Sequence, residues 1–276
     1  MKKILYIETN MGAAGDMLLA SLYELMDDKE SFTQKLSDLS IPGVSYKPIK
    51  EKTCNIVGTR MCVDIHGEEE ESVDIDVVDI HDEHRSESNH EHSHEMEHEK
   101  KHNHAHHGFH QVSDFISHLP VDQKVRSDAV SVYEKLRNAE AAVHGMPVDQ
   151  IHFHEVGTLD AIADVVGVCL AIAEINPDVV ICSPVNVGSG QVRCAHGTMP
   201  VPAPATAELL KGIPIYSNGI RGELCTPTGA ALLTYFADNF GPMPKMSYNK
   251  IGYGIGKKKF EAANCVRSFL GKGGDR

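Results

Sequence analysis

The sequence predicts an α/β fold of the mixed α+β kind, with irregular strand-helix alternation, interrupted by a disordered His-rich linker. Three observations predict it. Apolar residues recur with period two in some segments and with period 3.6 in others. The two kinds of segment do not follow a regular βαβ rhythm. Between them lies a stretch with almost nothing to bury, which cannot offset its own conformational entropy. The division expected is an N-terminal α/β segment over 1–67, an acidic linker over 68–110, and a second α/β segment over 111–276 that packs with the first.

Taken in order, KILYIET alternates as a strand, NMGAAGD is a turn, and MLLASLYELM has the period of an amphipathic helix. A further helix is expected near residues 30–39. VSYKPIK and NIVGTRMCVDI then read as two paired strands. Beyond the linker, Asp122 is placed to cap a long helix whose apolar stripe is Val125, Ala129, Val132, Leu136, Ala139 and Val143, closed by Gly145. IHFHEV is a strand, and a helix runs from Leu159 to Ile175. VVIC, a short helix ATAELLK ending at Gly212, IPIYS, a helix from Pro227 to Asn239, and a final pair around NKIGYGI and CVRSFL complete the chain.

The 276 residues carry a net charge of −13, and most of it is local. Residues 68–100 hold fourteen Asp or Glu against Arg85 and Lys100, a balance of −12 that leaves the remainder near neutral. A neutral body offers no basic surface for nucleic acid. No apolar run approaches a membrane span, and the start lacks a signal-peptide pattern, so a cytoplasmic protein is expected. Seven scattered cysteines without a CxxC argue for reduced thiols rather than a disulfide framework or a zinc ribbon.

Twelve of the seventeen histidines fall between His81 and His118. His90, His92, His94, His102, His104, His106 and His107 have the HxH and HH spacings with which a flexible chain holds late transition metals at low affinity. A second candidate is HFHEVGTLDAIAD. On a strand His152 and His154 share a face, with Glu155 beside them, and on the following helix Asp160 and Asp164 lie one turn apart. That helix is apolar almost all round, so the two carboxylates are expected to be buried and to repel unless a cation compensates them. The competing reading leaves Asp160 solvated at the helix start and pairs Asp164 with an arginine such as Arg193.

In GAAGDM, Gly12 and Gly15 allow close approach of a ligand to a helix start, while Glu8 and Asp16 are candidate metal or hydroxyl ligands. A tight turn with Asp16 capping the helix explains the same residues. Three prolines after His196 hold that histidine on a stiff segment suited to ligation or acid-base work. In TPTGAALL, Thr226 and Pro227 read as ordinary capping, though Thr228 and the free amides also suit a phosphate.

GAAGDM, the histidine tract, HFHEVGTLDAIADVVG, CSPVNVGSGQVRCAHGTMPVPAPATAELLKGIP, GELCTPTGAALL and IGYGIG resemble, in this order, the LarC family, over about residues 1–66 and 111–270. The resemblance implies insertion of nickel(II) into pyridinium-3,5-bisthiocarboxylic acid mononucleotide, the precursor of the nickel-pincer cofactor of lactate racemase. It implies CTP as co-substrate, with a divalent ion such as Mg or Mn, ending as CMP and pyrophosphate. Carried onto this chain, His154, Glu155, Asp160 and His196 are the proton-transfer candidates. His152, His154, Asp160, Asp164 and Glu8 are the metal candidates, and Gly12, Gly15, Asp16, Thr226 and Thr228 the nucleotide-facing ones. Relatives more often have Asp where Glu8 stands, and they continue into a C-terminal half associated with CTP and oligomer assembly. The implied partners are therefore such a half, in cis or in trans, and a further copy of the chain. The alternative is a nickel storage and delivery protein without catalysis. A metal-dependent hydrolase is a third reading, drawn from the HxH and the Asp pair alone.

Overall fold

The computed structural model describes residues 1–65, 73–75, 109–151, 158–194 and 197–273. All of the strand expected at IHFHEV but Ile151, the tract histidines, His152, His154, Glu155 and His196 lie outside the described residues.

A seven-stranded mixed sheet organises the chain. Its strands are β1 (Lys2–Glu8), β2 (Val44–Thr53), β3 (Ile56–Ile65), β5 (Val179–Cys182), β12 (Asn239–Phe240), β13 (Met246–Ile255) and β14 (Cys265–Gly273), in the order β12-β5-β1-β14-β13-β3-β2. Strands from both sides of the His-rich segment thus share one sheet. β1 runs parallel to β5 and antiparallel to β14, with Glu8 opposite Arg267. β2 and β3 form the expected pair, and Cys54 and Asn55, at φ 43° and 66°, make the two-residue turn with both central residues in the left-handed region that suits strand twist.

One face of this sheet is covered by helices. α1 (Gly15–Tyr23) lies against β13, where Gly252 and Gly254 leave room for its backbone: a Cβ on Gly254 would stand 1.9 Å from the Met17 carbonyl oxygen. α2 (Lys29–Asp38) is capped by Asp28, whose side chain accepts from the Ser31 amide at 2.9 Å. α4 (Gln123–His144), α5 (Leu159–Ile175) and α7 (Pro227–Phe236) complete the layer, and Leu5, Ile7, Leu19, Leu22, Val132, Tyr133, Val166 and Leu232 belong to one apolar core. Among the described residues no helix is long and apolar enough to cross a membrane.

Several sequence expectations need correction. α3 (Phe109–Ser117) begins inside the segment assigned to the linker, because Phe109 stacks on the Arg137 guanidinium at 3.9 Å and Val112 and Ile116 are buried. Asp122 stands at the N-cap of α4 without a side-chain cap bond, whereas Gly145 ends it in the left-handed region as expected. Val143 leaves the buried stripe and is 39% exposed. α7 stops at Phe236, not Asn239, since Asp238 accepts the Val180 amide at 2.8 Å and leads Asn239–Phe240 onto the sheet beside β5. IPIYS contributes only β10 (Ile215–Tyr216), paired in parallel with β6 (Val185–Asn186).

Smaller ribbons surround the ends of β1 and β5. β7 (Gly188–Ser189) pairs with β11 (Gly222–Glu223). β4 (Val73–Ile75), β8 (Gln191–Cys194) and β9 (Gly197–Pro200) form a three-stranded sheet that precedes α6 (Pro204–Leu209). Cys54, Cys169, Cys182, Cys225 and Cys265 are in no disulfide.

Candidate functional site

The site is built where the start of α1 meets the first two turns of α5. Thr158 caps α5, its hydroxyl accepting from the Ala161 amide, and sets Asp160 in the first turn and Asp164 one turn on. α5 is as buried as its composition predicts, and Asp164 with it. The contacts advance in the same direction along both helices. Gly15 abuts Asp164, where a Cβ would stand 2.5 Å from Oδ2, and Gly167 abuts Leu19, where a Cβ would stand 2.8 Å from Cδ2.

Among the described residues, the charges gathered there are of one sign. Burial pushes the Asp164 carboxyl well above the usual range, and the neighbouring Asp160 and Asp16 push it further; a hydrogen bond from the Asp16 backbone amide is what opposes them. Asp164 Oδ1 has no hydrogen-bond partner among the described residues. Arg193, the partner considered for it from sequence, is exposed on β8. A buried carboxyl in this setting either holds its proton or takes up a cation.

Two tyrosines missed by the sequence reading flank the acids. Tyr46 of β2 donates to the Ala163 carbonyl at 3.0 Å, and Tyr133 of α4 is fully buried. Burial first, and then the charges of Asp164 and Asp160, hold both phenols well above their ordinary value, so both stay neutral. The available signal was a hydroxyl-bearing ring at an inward position of a strand and of a helix stripe.

The glycine-rich loop is used for packing. Gly12, at φ 71°, donates its amide to Thr9, and a Cβ there would lie 2.0 Å from the Leu224 carbonyl oxygen. Gly15 is filled from the other side by Asp164. The side-chain oxygen of Asp16 accepts from the Met17 amide at 2.8 Å. Thr226 accepts from the Gly229 amide at 3.2 Å as the cap of α7, its own amide donates to Ala13, and Thr228 is half-buried.

Glu8 lies elsewhere. Ile7 faces the core, so Glu8 projects from the opposite face of β1, where its carboxylate accepts from Arg267 Nε. Among the described residues no group of three or more His, Cys, Asp or Glu side chains converges to hold a metal ion.

Fold and site together define an α/β protein with a buried carboxylate that no cation neighbours among the described residues, where two helices lie on the same face of a sheet. The chain belongs to the nickel insertion protein family, whose sequence profile matches residues 5–276. Among its relatives, the pyridinium-3,5-bisthiocarboxylic acid mononucleotide nickel insertion protein of Geobacillus kaustophilus is 34% identical over 271 residues, 98% of this chain and 60% of that protein. The protein of the same name from Clostridium kluyveri is 37% identical over 275 residues, 98% of this chain and 62% of that protein. That of Staphylococcus saprophyticus subsp. saprophyticus is 34% identical over 265 residues, covering 96% and 59%. The chain thus spans about three-fifths of the length of the curated relatives it matches. No solved structure matches it.

Proposed function

We propose that this chain carries the nickel-handling chemistry of an enzyme that inserts nickel(II) into pyridinium-3,5-bisthiocarboxylic acid mononucleotide. Nickel is here a substrate. Its insertion forms two nickel–sulfur bonds and one nickel–carbon bond, and the ring C–H leaves as a proton, so the reaction needs a cation-attracting centre beside a proton acceptor. The observation that carries the reading is Asp164, buried near the carboxylates of Asp160 and Asp16, with an oxygen lacking a hydrogen-bond partner among the described residues. Asp160 and Asp164 are assigned to the metal. Asp160, His154, Glu155 and His196 are the groups from which the proton acceptor comes, and His152 completes the ligand set. Asp16 and Thr228 face the nucleotide, whereas Gly12, Gly15 and Thr226 act by shaping the elements around it.

CTP with Mg or Mn belongs to the same reading, as do a second half of the protein in cis or in trans, self-association, and a cytoplasmic location. The relatives' greater length supports the second half. The histidine tract supplies nickel at low affinity, and its composition favours storage and delivery as the second reading.

The test is to incubate the full chain, with the C-terminal part of a longer relative supplied in trans, with the mononucleotide, nickel(II), CTP and Mg, and to follow the product by mass spectrometry. Nickel-containing product, reduced at least tenfold by Asp164→Asn, is expected. Bound nickel without product identifies storage instead, and product formation indifferent to Asp160→Ala and Asp164→Asn removes the acid pair from the reaction.

A further inference from the structure

The face of the sheet opposite the helices carries a second polar group that nickel handling does not use. At the carboxyl end of β1, Glu8 accepts from Arg267 Nε, and the two stand directly opposite in the β1–β14 register. Tyr253 stands opposite Arg267 on β13, its phenol near the guanidinium, and the ring of Phe269 lies 5.4 Å beneath it. Phe269 packs in turn against Tyr6 at 6.1 Å and Tyr248 at 5.2 Å. The loops that leave β1 and β5 knit together beside this group. The Thr9 amide donates to Ser183 Oγ at 2.9 Å, Asn186 Nδ2 to the Asn10 carbonyl at 2.8 Å, and Tyr216 Oη to Asn10 Oδ1 at 3.2 Å.

Three features make this more than a stabilising pair. The Arg267 side chain is 36% exposed against 16% for Glu8, so the guanidinium is the more accessible partner. The pair is half-buried, and a phosphate, which carries more charge than a carboxylate and fits the guanidinium fork, competes with Glu8 for it. The position is the carboxyl end of two adjacent parallel strands, where open α/β sheets take their ligands, and it is floored by aromatic rings. A planar guanidinium fork resting on a ring is matched to a phosphate monoester attached to an aromatic nucleoside. The acid-lined centre at Asp164 repels the same phosphate.

We propose that Arg267 receives the phosphate of the mononucleotide substrate, with Glu8 as a built-in counter-charge that the phosphate displaces. The identity of the ligand rests on the function proposed above; the oxyanion site rests on the geometry. The loop from Thr9 to Ala14 then runs from the phosphate end of the site to the Asp16 end.

The test is calorimetric titration of the full chain, without nickel, with nicotinate mononucleotide as the probe, beside its nucleoside and inorganic phosphate. The nucleotide is expected to bind at least tenfold more tightly than the nucleoside, and Arg267→Gln to lose that difference. Glu8→Gln is expected to tighten nucleotide binding about two- to fivefold, the sign a displaced counter-charge requires. A gain of affinity cannot arise from misfolding. Should Arg267→Gln fail to fold, Arg267→Lys, which keeps the charge without the fork, is expected to weaken binding several-fold. Equal binding of nucleotide and nucleoside, unchanged affinity in the Arg267 variants, or no tightening in Glu8→Gln overturns the proposal. Nickel is absent throughout, so failure of the nickel reading leaves this result intact, and failure here leaves nickel binding at Asp164 untouched.

Discussion

Gly15 and Asp164 meet at a position where only the lack of a side chain allows contact: a Cβ on Gly15 would stand 2.5 Å from Asp164 Oδ2 and 2.6 Å from its Cβ. The glycine of the first loop therefore sets how deeply the acid of α5 is buried. Gly15→Ala is expected to cost about 1–3 kcal/mol, as overpacking does in a closed core, and to weaken nickel binding as Asp164 is pushed aside. Urea unfolding and a nickel titration of the same sample check both. A variant of unchanged stability would show that the two helices are not held at this contact.

The raised pKa of Asp164 fixes the sign of a pH effect. A carboxyl whose folded-state pKa lies above its unfolded value binds its proton more tightly when folded. Stability is then greatest below the unfolded value, near pH 4, and falls as pH rises toward the folded value. Asp164→Asn removes that slope. Thermal melts of the metal-free chain between pH 4 and 8 are expected to show the wild type losing stability with rising pH relative to the Asn variant. Parallel curves would mean that Asp164 is not buried as an acid.

Glu24 gives the opposite slope. Burial raises its pKa, but hydrogen bonds from Lys50, the Tyr253 amide and Thr59 outweigh burial and hold the carboxyl below its usual range. Its stabilisation is complete above the unfolded value of about 4.5 and is lost as pH falls through the lower folded value. Glu24→Gln is expected to cost about 1–2 kcal/mol at pH 7 and little at pH 3, read from urea midpoints at the two pH values.

Two glycines separate close packing from backbone conformation. Gly254→Ala places a methyl 1.9 Å from the Met17 carbonyl oxygen and is expected to cost about 3 kcal/mol or to prevent folding. Gly145→Ala meets nothing within 4 Å and pays only for φ 60°, about 1 kcal/mol. Equal losses would contradict the packing of α1 on β13.

The elements governed by local pattern were legible in the sequence. β1, the β2–β3 pair, α4, α5 and the final strand pair follow from periodicity and caps, and burial of Asp164 follows from a helix apolar on nearly every side. What was not legible depends on partners distant in the chain. α3 is fixed by Phe109 on Arg137, the end of α7 by Asp238 on β5, and the loop glycines by Leu224 and Asp164. Alternation along β1 does place Glu8 on the face opposite Ile7, but its pairing with Arg267 requires knowing that β14 is the neighbour of β1. Tyr46 and Tyr133 come from separate elements, and nothing local marks them as neighbours of the acids.

The proposed nickel-binding centre lies in the folded body at Asp164 and is independent of the histidine tract. The most direct measurement is a nickel titration of the chain with residues 81–108 replaced by a Gly-Ser linker, leaving Phe109 in place on Arg137, beside the same variant carrying Asp164→Asn. One tract-independent site is expected, weakened at least tenfold by the substitution. No binding without the tract, or undiminished binding in the Asn variant, would contradict it.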